Sequence, residues 1–278
     1  MVGGNMESGA TVNRISLASG VLPEFGATDV IEAGHAAGFD AVGLWVDPAQ
    51  WSAQTTRDTR AALERTGMPV LDVEVIWIRP DTRLDDHRRV IDVGAELGAA
   101  NVLCVSSHPD EGEAATQLGA LCAHAEGSGM RVALEFGIFT EVKSLTQALG
   151  ILERVGHPLR ALLADPIHLD RSGTTWAALA EVDRALLPYA QICDARAKRP
   201  DPADFDAVIT DAIDLREQCG EGALDLTAFL DALPAGIPLS VELRSKALRD
   251  GFPEPAARAA AVLAATRSWL AGAHRVSA

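Results

Sequence analysis

Short apolar runs alternate along the chain with longer stretches in which apolar residues recur at helical spacing. The runs are almost continuously apolar, which is typical of parallel strands that are covered on both faces. A helical stretch such as ATDVIEAGHAAG separates each run from the next, and here Gly38 marks its end. The pattern predicts eight strands: RISLA, FDAVGLWV, MPVLDVEVIWI, ANVLCVSS, RVALEF, RALLAD, YAQICD and PLSVEL.

Eight strand and helix units in alternation predict a (β/α)₈ TIM barrel. A doubly wound open sheet is the alternative, but the chain lacks the glycine-rich nucleotide motifs that usually accompany it. We predict one barrel domain over residues 13–278, preceded by a disordered tail at residues 1–12. The longest connection without a clear single helix is 195–223, after the seventh strand, and connections of that length are often functional.

The composition of the chain limits the kinds of molecule that it is expected to bind. The 278 residues carry a net charge of −15, and a surface this acidic repels nucleic-acid phosphates. The four cysteines form no C-x-x-C pair, which argues against a zinc ribbon or a thioredoxin-like site. No apolar run reaches membrane-spanning length, and the first residues contain no apolar signal segment. We therefore expect a cytoplasmic protein that acts on a small molecule, without a nucleic-acid or membrane partner.

Polar side chains stand at the ends of four predicted strands. In a TIM barrel these ends meet at one rim, where catalytic groups lie. A buried carboxylate costs several kcal/mol unless it is paired or bound to a metal. The strands contain no Lys or Arg beside these acids, so a divalent cation explains the cluster more simply than a salt-bridged structural role. The four residues are Glu135, Asp165, Gln191 and Glu242.

Five motifs at these positions resemble one known family: ALEF, LLADPIHLDRSG, QICDA, GEGALDLTAFLDAL and LSVELRS. They occur in this order and at the spacing of successive barrel strands. Together they resemble motifs of the xylose isomerase-like superfamily, in its sugar phosphate isomerase/epimerase and hydroxypyruvate isomerase-like branch. The resemblance is strongest over residues 131–245. It implies one divalent metal bound by Glu135, Asp165, Gln191 and Glu242, and a substrate contact for His168 in the D-x-x-H motif. Many members have His at the position of Gln191, whereas the hydroxypyruvate isomerase-like ones have Gln.

Three carboxylates and an amide oxygen favour Mn²⁺ or Mg²⁺, with Co²⁺ as a substitute. The resemblance further implies that Glu135 and Glu242 are the catalytic pair. One would remove a proton next to the polarised carbonyl to give a metal-bound enediolate, and the other would return it, as in an isomerase or epimerase. Further candidates for substrate binding lie near the same rim, although each could have only a capping, packing or surface role: His108, Arg196, Arg244, Glu74 and Trp45.

Three other functions use the same scaffold. A lyase resembling dehydroshikimate or inosose dehydratase would share the metal and the proton abstraction and then expel a hydroxyl group. A DNA-repair nuclease of the apurinic-site type needs more histidine ligands, and the acidic charge opposes it. A non-catalytic barrel would not need the full ligand set. Related barrels also suggest a homo-oligomer.

Overall fold

The computed structural model describes residues 13–276, so the tail predicted at residues 1–12 lies outside the described part. Eight parallel strands form one sheet, with neighbours in the order β6-β5-β4-β3-β2-β1-β10-β7. A parallel bridge between Ala164 and Ala190 joins the two ends, which nearly closes the barrel. All eight predicted strands and the TIM-barrel fold are confirmed. The strands are β1 Ile15–Leu17, β2 Ala41–Trp45, β3 Val70–Ile78, β4 Asn101–Ser106, β5 Arg131–Glu135, β6 Arg160–Leu163, β7 Ala190–Ile192 and β10 Leu239–Val241.

Helices surround the sheet and begin and end where local chemistry predicts. Ser52 and Asp110 accept hydrogen bonds from the first-turn backbone of α2 and α4, which satisfies donors that a helix leaves free. Gly38 ends α1 at a φ of 87°, a conformation that glycine adopts without steric cost. The helices are α1 Ala27–Ala37, α2 Ala53–Thr66, α3 Leu84–Glu96, α4 Glu111–His124, α5 Leu145–Val155, α6 Pro166–Arg171, α7 Trp176–Ala180, α8 Phe205–Asp214, α9 Leu226–Ala232, α10 Lys246–Gly251 and α11 Pro255–Val276. Within the described residues, none of these helices combines the length and the apolar character that crossing a bilayer requires.

The barrel interior is packed below the rim. Leu103, Ala133, Leu163 and Tyr189 belong to one buried cluster that fills the space between the strands. Side chains alternate along a strand, so residues two positions further on point into the same interior but nearer the carboxyl ends. For three of these positions the next inward residues are Glu135, Asp165 and Gln191. The apolar layer therefore lies directly below the polar side chains in the barrel interior.

The connection after β7 is an ordered substructure. It contains α8 and a small antiparallel pair, β8 Asp194–Ala195 and β9 Arg216–Glu217. The buried Asp194 carboxylate accepts backbone hydrogen bonds from Ala195 at 2.8 Å, Leu224 at 3.0 Å and Gly220 at 3.1 Å. One side chain thus fixes both ends of the connection, which carries β9 to the rim of the barrel.

We expect Asp194→Ala to lower the free energy of unfolding by roughly 3 kcal/mol, because three backbone donors lose a charged acceptor in a buried position. Urea unfolding followed by circular dichroism measures the change. Asp201→Ala is the matched control, since Asp201 caps a turn of the same connection but is exposed. Equal losses in the two variants would contradict the anchoring role of Asp194.

Candidate metal centre and active site

The four strand-end side chains that the sequence singled out come together at the carboxyl end of the barrel. All four are buried. The side-chain amide of Gln191 on β7 lies 2.7 Å from Glu135 Oε1 on β5 and 2.9 Å from Asp165 Oδ2 after β6. Glu242, directly after β10, lines the same cavity as Glu135 and Gln191. Strand topology therefore brings these residues together, as the barrel pattern predicted.

The amide of Gln191 can face the two carboxylates in either of two ways. If its NH₂ group points inward, it donates to both Asp165 Oδ2 and Glu135 Oε1. If its carbonyl oxygen points inward, three oxygen acceptors face one another, and that arrangement is favourable only with a cation among them. The side chain thus suits both a metal-free and a metal-bound centre, with a rotation of the amide between them.

A buried arginine, Arg216 on β9, reaches into this cluster. Its Nη1 donates to Asp165 Oδ2 at 2.6 Å and to the Glu242 carbonyl at 2.9 Å, while its Nε donates to the Ala212 carbonyl at 2.7 Å. The strands themselves contain no Lys or Arg beside the acids, as the sequence showed, but a basic side chain from another segment lies next to them. The connection after β7 supplies the guanidinium, so part of the negative charge is balanced by the protein.

Two other arginines that the sequence placed near the rim have different surroundings. Arg244 donates from Nε to Glu242 Oε1 at 2.8 Å and lines the cavity. Arg196 pairs at 2.8 Å with Glu217 on the surface and does not belong to the cavity lining. Of these two, only Arg244 is placed to contact a molecule in the cavity.

His168 lies in the first turn of α6, which Asp165 caps through a hydrogen bond from the Ile167 backbone at 3.0 Å. The helical turn brings the imidazole Nε2 to 3.8 Å from Asp165 Oδ2 and 3.5 Å from Arg216 Nη2. Burial lowers the pKa of His168 to about 4, so the ring is neutral at pH 7. The D-x-x-H spacing thus places a neutral nitrogen beside the carboxylates.

Glu135, Asp165 and His168 form a group that could hold a metal ion, since one donor atom from each lies within 4.8 Å of the others. Glu242 lies outside this group but lines the same cavity, and its buried Oε2 has no hydrogen-bond partner among the described residues. Oxygen-rich donor sets of this kind suit divalent cations, and neutral imidazole is also a good ligand. The side chains present therefore fit the metal that the sequence predicted, with His168 as an additional possible ligand.

The carboxyl groups in this region differ in protonation. Burial raises the pKa of Glu135 well above its ordinary value, and the nearby Asp165 carboxylate raises it further. Burial also opposes ionisation of Asp165, but Arg216 and His168 outweigh it and lower its pKa. Glu74, which accepts a 2.8 Å hydrogen bond from Ser19, has a pKa raised to about 7 by burial and by Glu242. The protein thus relieves excess negative charge partly by binding protons.

A cavity of about 280 Å³ opens above these groups. Of the remaining candidates, Glu74 and Trp45 line it, as the sequence predicted. His108 does not; its Nδ1 accepts a hydrogen bond from the Asp110 backbone at 3.1 Å at the start of α4. Sequence reasoning missed Trp77 and Phe139, whose rings meet edge to face with their centroids 5.9 Å apart. The lining consists of Trp45, Glu74, Val75, Trp77, Leu103, Val105, Glu135, Phe139, His168, Gln191, Ile209, Ala212, Ile213, Arg216, Glu242 and Arg244.

Comparison with known proteins agrees with this architecture. The family model described as the xylose isomerase-like TIM barrel matches residues 31–269, so the chain belongs to this family. No curated protein sequence gives a significant match.

Three solved structures illustrate the shared fold. A xylose isomerase-like TIM barrel/4-hydroxyphenylpyruvate dioxygenase fusion protein is 24% identical with a TM-score of 0.76, and the match covers 91% of this chain but only 42% of the fusion protein. The IolI protein with a bound zinc atom is 18% identical with a TM-score of 0.77, covering 92% of this chain and 99% of IolI. A D-allulose 3-epimerase from Methylomonas sp. in complex with D-allulose is 15% identical with a TM-score of 0.67, covering 91% and 96%. At these identities the likeness shows the fold alone.

We expect Arg216→Met to lower the free energy of unfolding by about 3–5 kcal/mol without added metal, because Asp165 then lacks its buried cationic partner. Mn²⁺ should stabilise this variant more than it stabilises the unaltered protein, since a bound cation takes over the lost charge compensation. Urea unfolding with and without Mn²⁺ measures both effects. Arg171→Met is the matched control, because Arg171 is also buried and pairs at 2.8 Å with Asp211. If Mn²⁺ rescued both variants equally, the proposed cation site at Asp165 would be wrong.

We expect Glu74→Gln to stabilise the metal-free protein at high pH but not at low pH. The folded-state pKa of about 7 lies above the ordinary value near 4.3. The stability that the protonated Glu74 provides is therefore complete below about pH 4 and is lost as the pH rises through 7. At pH 9 the difference should reach roughly 3 kcal/mol in favour of the variant. Unfolding in a chelating buffer at pH 5 and pH 9 tests this, and a pH-independent difference would contradict it.

Proposed function

We propose that this member of the xylose isomerase-like TIM barrel family is a divalent-metal-dependent isomerase or epimerase of a small hydroxy-carbonyl compound. The observation that carries the proposal is the convergence of Glu135, Asp165, Gln191 and Glu242 at one rim, around a cavity that can admit a small molecule. Active sites of TIM barrels lie at this end of the strands. The D-allulose 3-epimerase that shares the fold supports the same reaction class.

Glu135, Asp165, Gln191 and Glu242 would hold the metal, and His168 is positioned to join them. When bound, the metal would supply Lewis-acid polarisation of the substrate carbonyl, which acidifies the neighbouring C–H bond. The predominance of oxygen donors favours Mn²⁺ or Mg²⁺, and a fifth donor from His168 would bring Co²⁺ or Zn²⁺ into range. IolI, solved with zinc, shows that this fold can hold the last of these.

Glu242 and Glu135 would exchange the proton at the reacting carbon. The Arg244 guanidinium donates to Glu242 Oε1 at 2.8 Å and holds that carboxyl group beside the cavity. Glu135 makes no hydrogen bond to a basic side chain among the described residues, and it faces Asp165 and Gln191 instead. The raised pKa of Glu135 suits it to carry the proton as the acid, and Glu242 would then be the base, although the reverse reaction exchanges their tasks. Arg216 would keep Asp165 ionised throughout.

A lyase is the second candidate, and Glu74 is the residue that favours it. Dehydration needs an acid to protonate the departing hydroxyl group in addition to the base that removes the proton. Glu74 offers a third carboxyl group in the same cavity, held in place by Ser19. The two reactions share their first step and differ in the fate of the hydroxyl group, so the products distinguish them.

Ketoses, inososes and hydroxy-keto acids should be screened with Mn²⁺ in deuterated solvent. Exchange of one carbon-bound hydrogen with retention of the substrate skeleton indicates isomerisation or epimerisation, and loss of water indicates a lyase. On a substrate so found, Glu135→Gln and Glu242→Gln should each lower kcat by about 10²–10⁴-fold, because each removes a proton-transfer group.

Glu217→Gln is the control for these variants, since Glu217 pairs with Arg196 at the surface. It should leave both metal content and kcat close to those of the unaltered protein. Two results together would overturn the assignment of the site. The purified protein would contain no stoichiometric metal, and Glu135→Gln would change neither the metal affinity nor the activity.

A further inference from the structure

The side chains around the cavity are of two kinds, polar and apolar. The ionisable and amide groups lie on β5, β7 and the residues that follow β6 and β10, with Glu74 on β3 and Arg216 on β9. The rest of the lining among the described residues is hydrocarbon or aromatic: Trp45, Val75, Trp77, Leu103, Val105, Phe139, Ile209, Ala212 and Ile213. Strand β4, between the strands that carry Glu74 and Glu135, contributes only Leu103 and Val105.

The apolar part of the lining offers few hydrogen bonds to a ligand. The one polar atom of the Trp77 side chain, Nε1, already donates to Ser107 Oγ at 2.9 Å. Val75, Trp77 and Phe139 pack against the buried cluster that contains Leu103 and Val105, so these groups form one continuous surface. A hydroxyl group placed against this surface would lose its hydration without gaining a partner, which is unfavourable.

Two residues at the mouth of the cavity are large, apolar and unusually accessible. Trp45 is 47% exposed and Ile213 is 41% exposed, although most large apolar side chains of the described part are buried. Ile213 lies one helical turn after Ile209 on α8, and both line the cavity. A ligand with an apolar body would cover this surface and gain free energy from the area that it removes from water.

We infer that the substrate has its hydroxy-carbonyl group at one end and an apolar body, such as a phenyl ring or a short branched alkyl group, at the other. This inference rests on the proposed function, because that function places the hydroxy-carbonyl end at the carboxylates. A straight-chain sugar, with a hydroxyl group on every carbon except the carbonyl carbon, would find hydrogen-bond partners for one end only. The volume of about 280 Å³ is near the lower end of the range for small-molecule sites, so the body is small.

Two hydroxamates test the inference, since they have the same metal-chelating head and different bodies. Phenylacetohydroxamate has an aromatic ring, and threonohydroxamate has a chain of hydroxyl groups. With the Mn²⁺-loaded protein, titration calorimetry and tryptophan fluorescence should show that the phenyl compound binds at least tenfold more tightly. Equal binding, or tighter binding of threonohydroxamate, would overturn the inference and leave the proposed metal site intact.

Variants of the apolar surface test whether the preference for the phenyl compound comes from contacts with that surface. Ile213→Gln should reduce the ratio of the two affinities at least threefold, and Val105→Thr should also reduce it by adding a hydroxyl group with little change of shape. Phe205→Gln is the control, because Phe205 lies on the same helix and is 60% exposed but does not line the cavity. A ratio that stayed unchanged in both test variants would contradict the inferred position of the apolar body. If neither hydroxamate bound and the protein bound no Mn²⁺, the proposed function would fail, and the inference with it.

Discussion

The buried negative charge at the carboxyl end of the barrel is the constraint on which the site depends. Glu74, Glu135 and Glu242 line one cavity and Asp165 lies beside it, while two guanidiniums of the described part, those of Arg216 and Arg244, offset them. With all six groups ionised, the cluster carries two negative charges in a region of low dielectric, which is costly. Proton binding relieves the charge, as the raised pKa values of Glu135 and Glu74 indicate. A divalent cation would balance it completely, and this is the strongest physical argument for a metal.

The strands and the convergence of their terminal side chains could be predicted from the sequence for a simple reason. A carboxylate that ends an apolar run, as Glu135 and Glu242 do, has no packing explanation, and parallel topology brings all such ends to one rim. Arg216 could not be found in this way, because it lies in the connection after β7, where no periodic pattern gives its position. The positions of His108 and Arg196 could not be predicted from the sequence either, because local hydrogen bonds in loops determine where those side chains point. The cost of the buried acids was the one available signal that a hidden cation was needed.

The connection after β7 links the chemistry of the rim to the shape of the cavity. Asp194 fixes its ends, β9 delivers Arg216 to Asp165, and α8 places Ile209 and Ile213 at the mouth. Charge compensation and apolar surface therefore come from one ordered segment. A shift of α8 that changed the space for a ligand would also move Arg216, because the guanidinium is bound to the Ala212 carbonyl at 2.7 Å.

This arrangement separates what the strands contribute from what the connections contribute. Under the proposed function, the strand ends would supply carboxylates that move a proton on a hydroxy-carbonyl compound, so they would set the reaction class but not the substrate. Substrate choice would depend instead on cavity-lining side chains such as Trp77, Phe139 and Ile213, which have no proton-transfer group. A barrel with the same strand-end acids but a polar α8 should therefore keep the proton transfer and accept a more hydroxylated substrate.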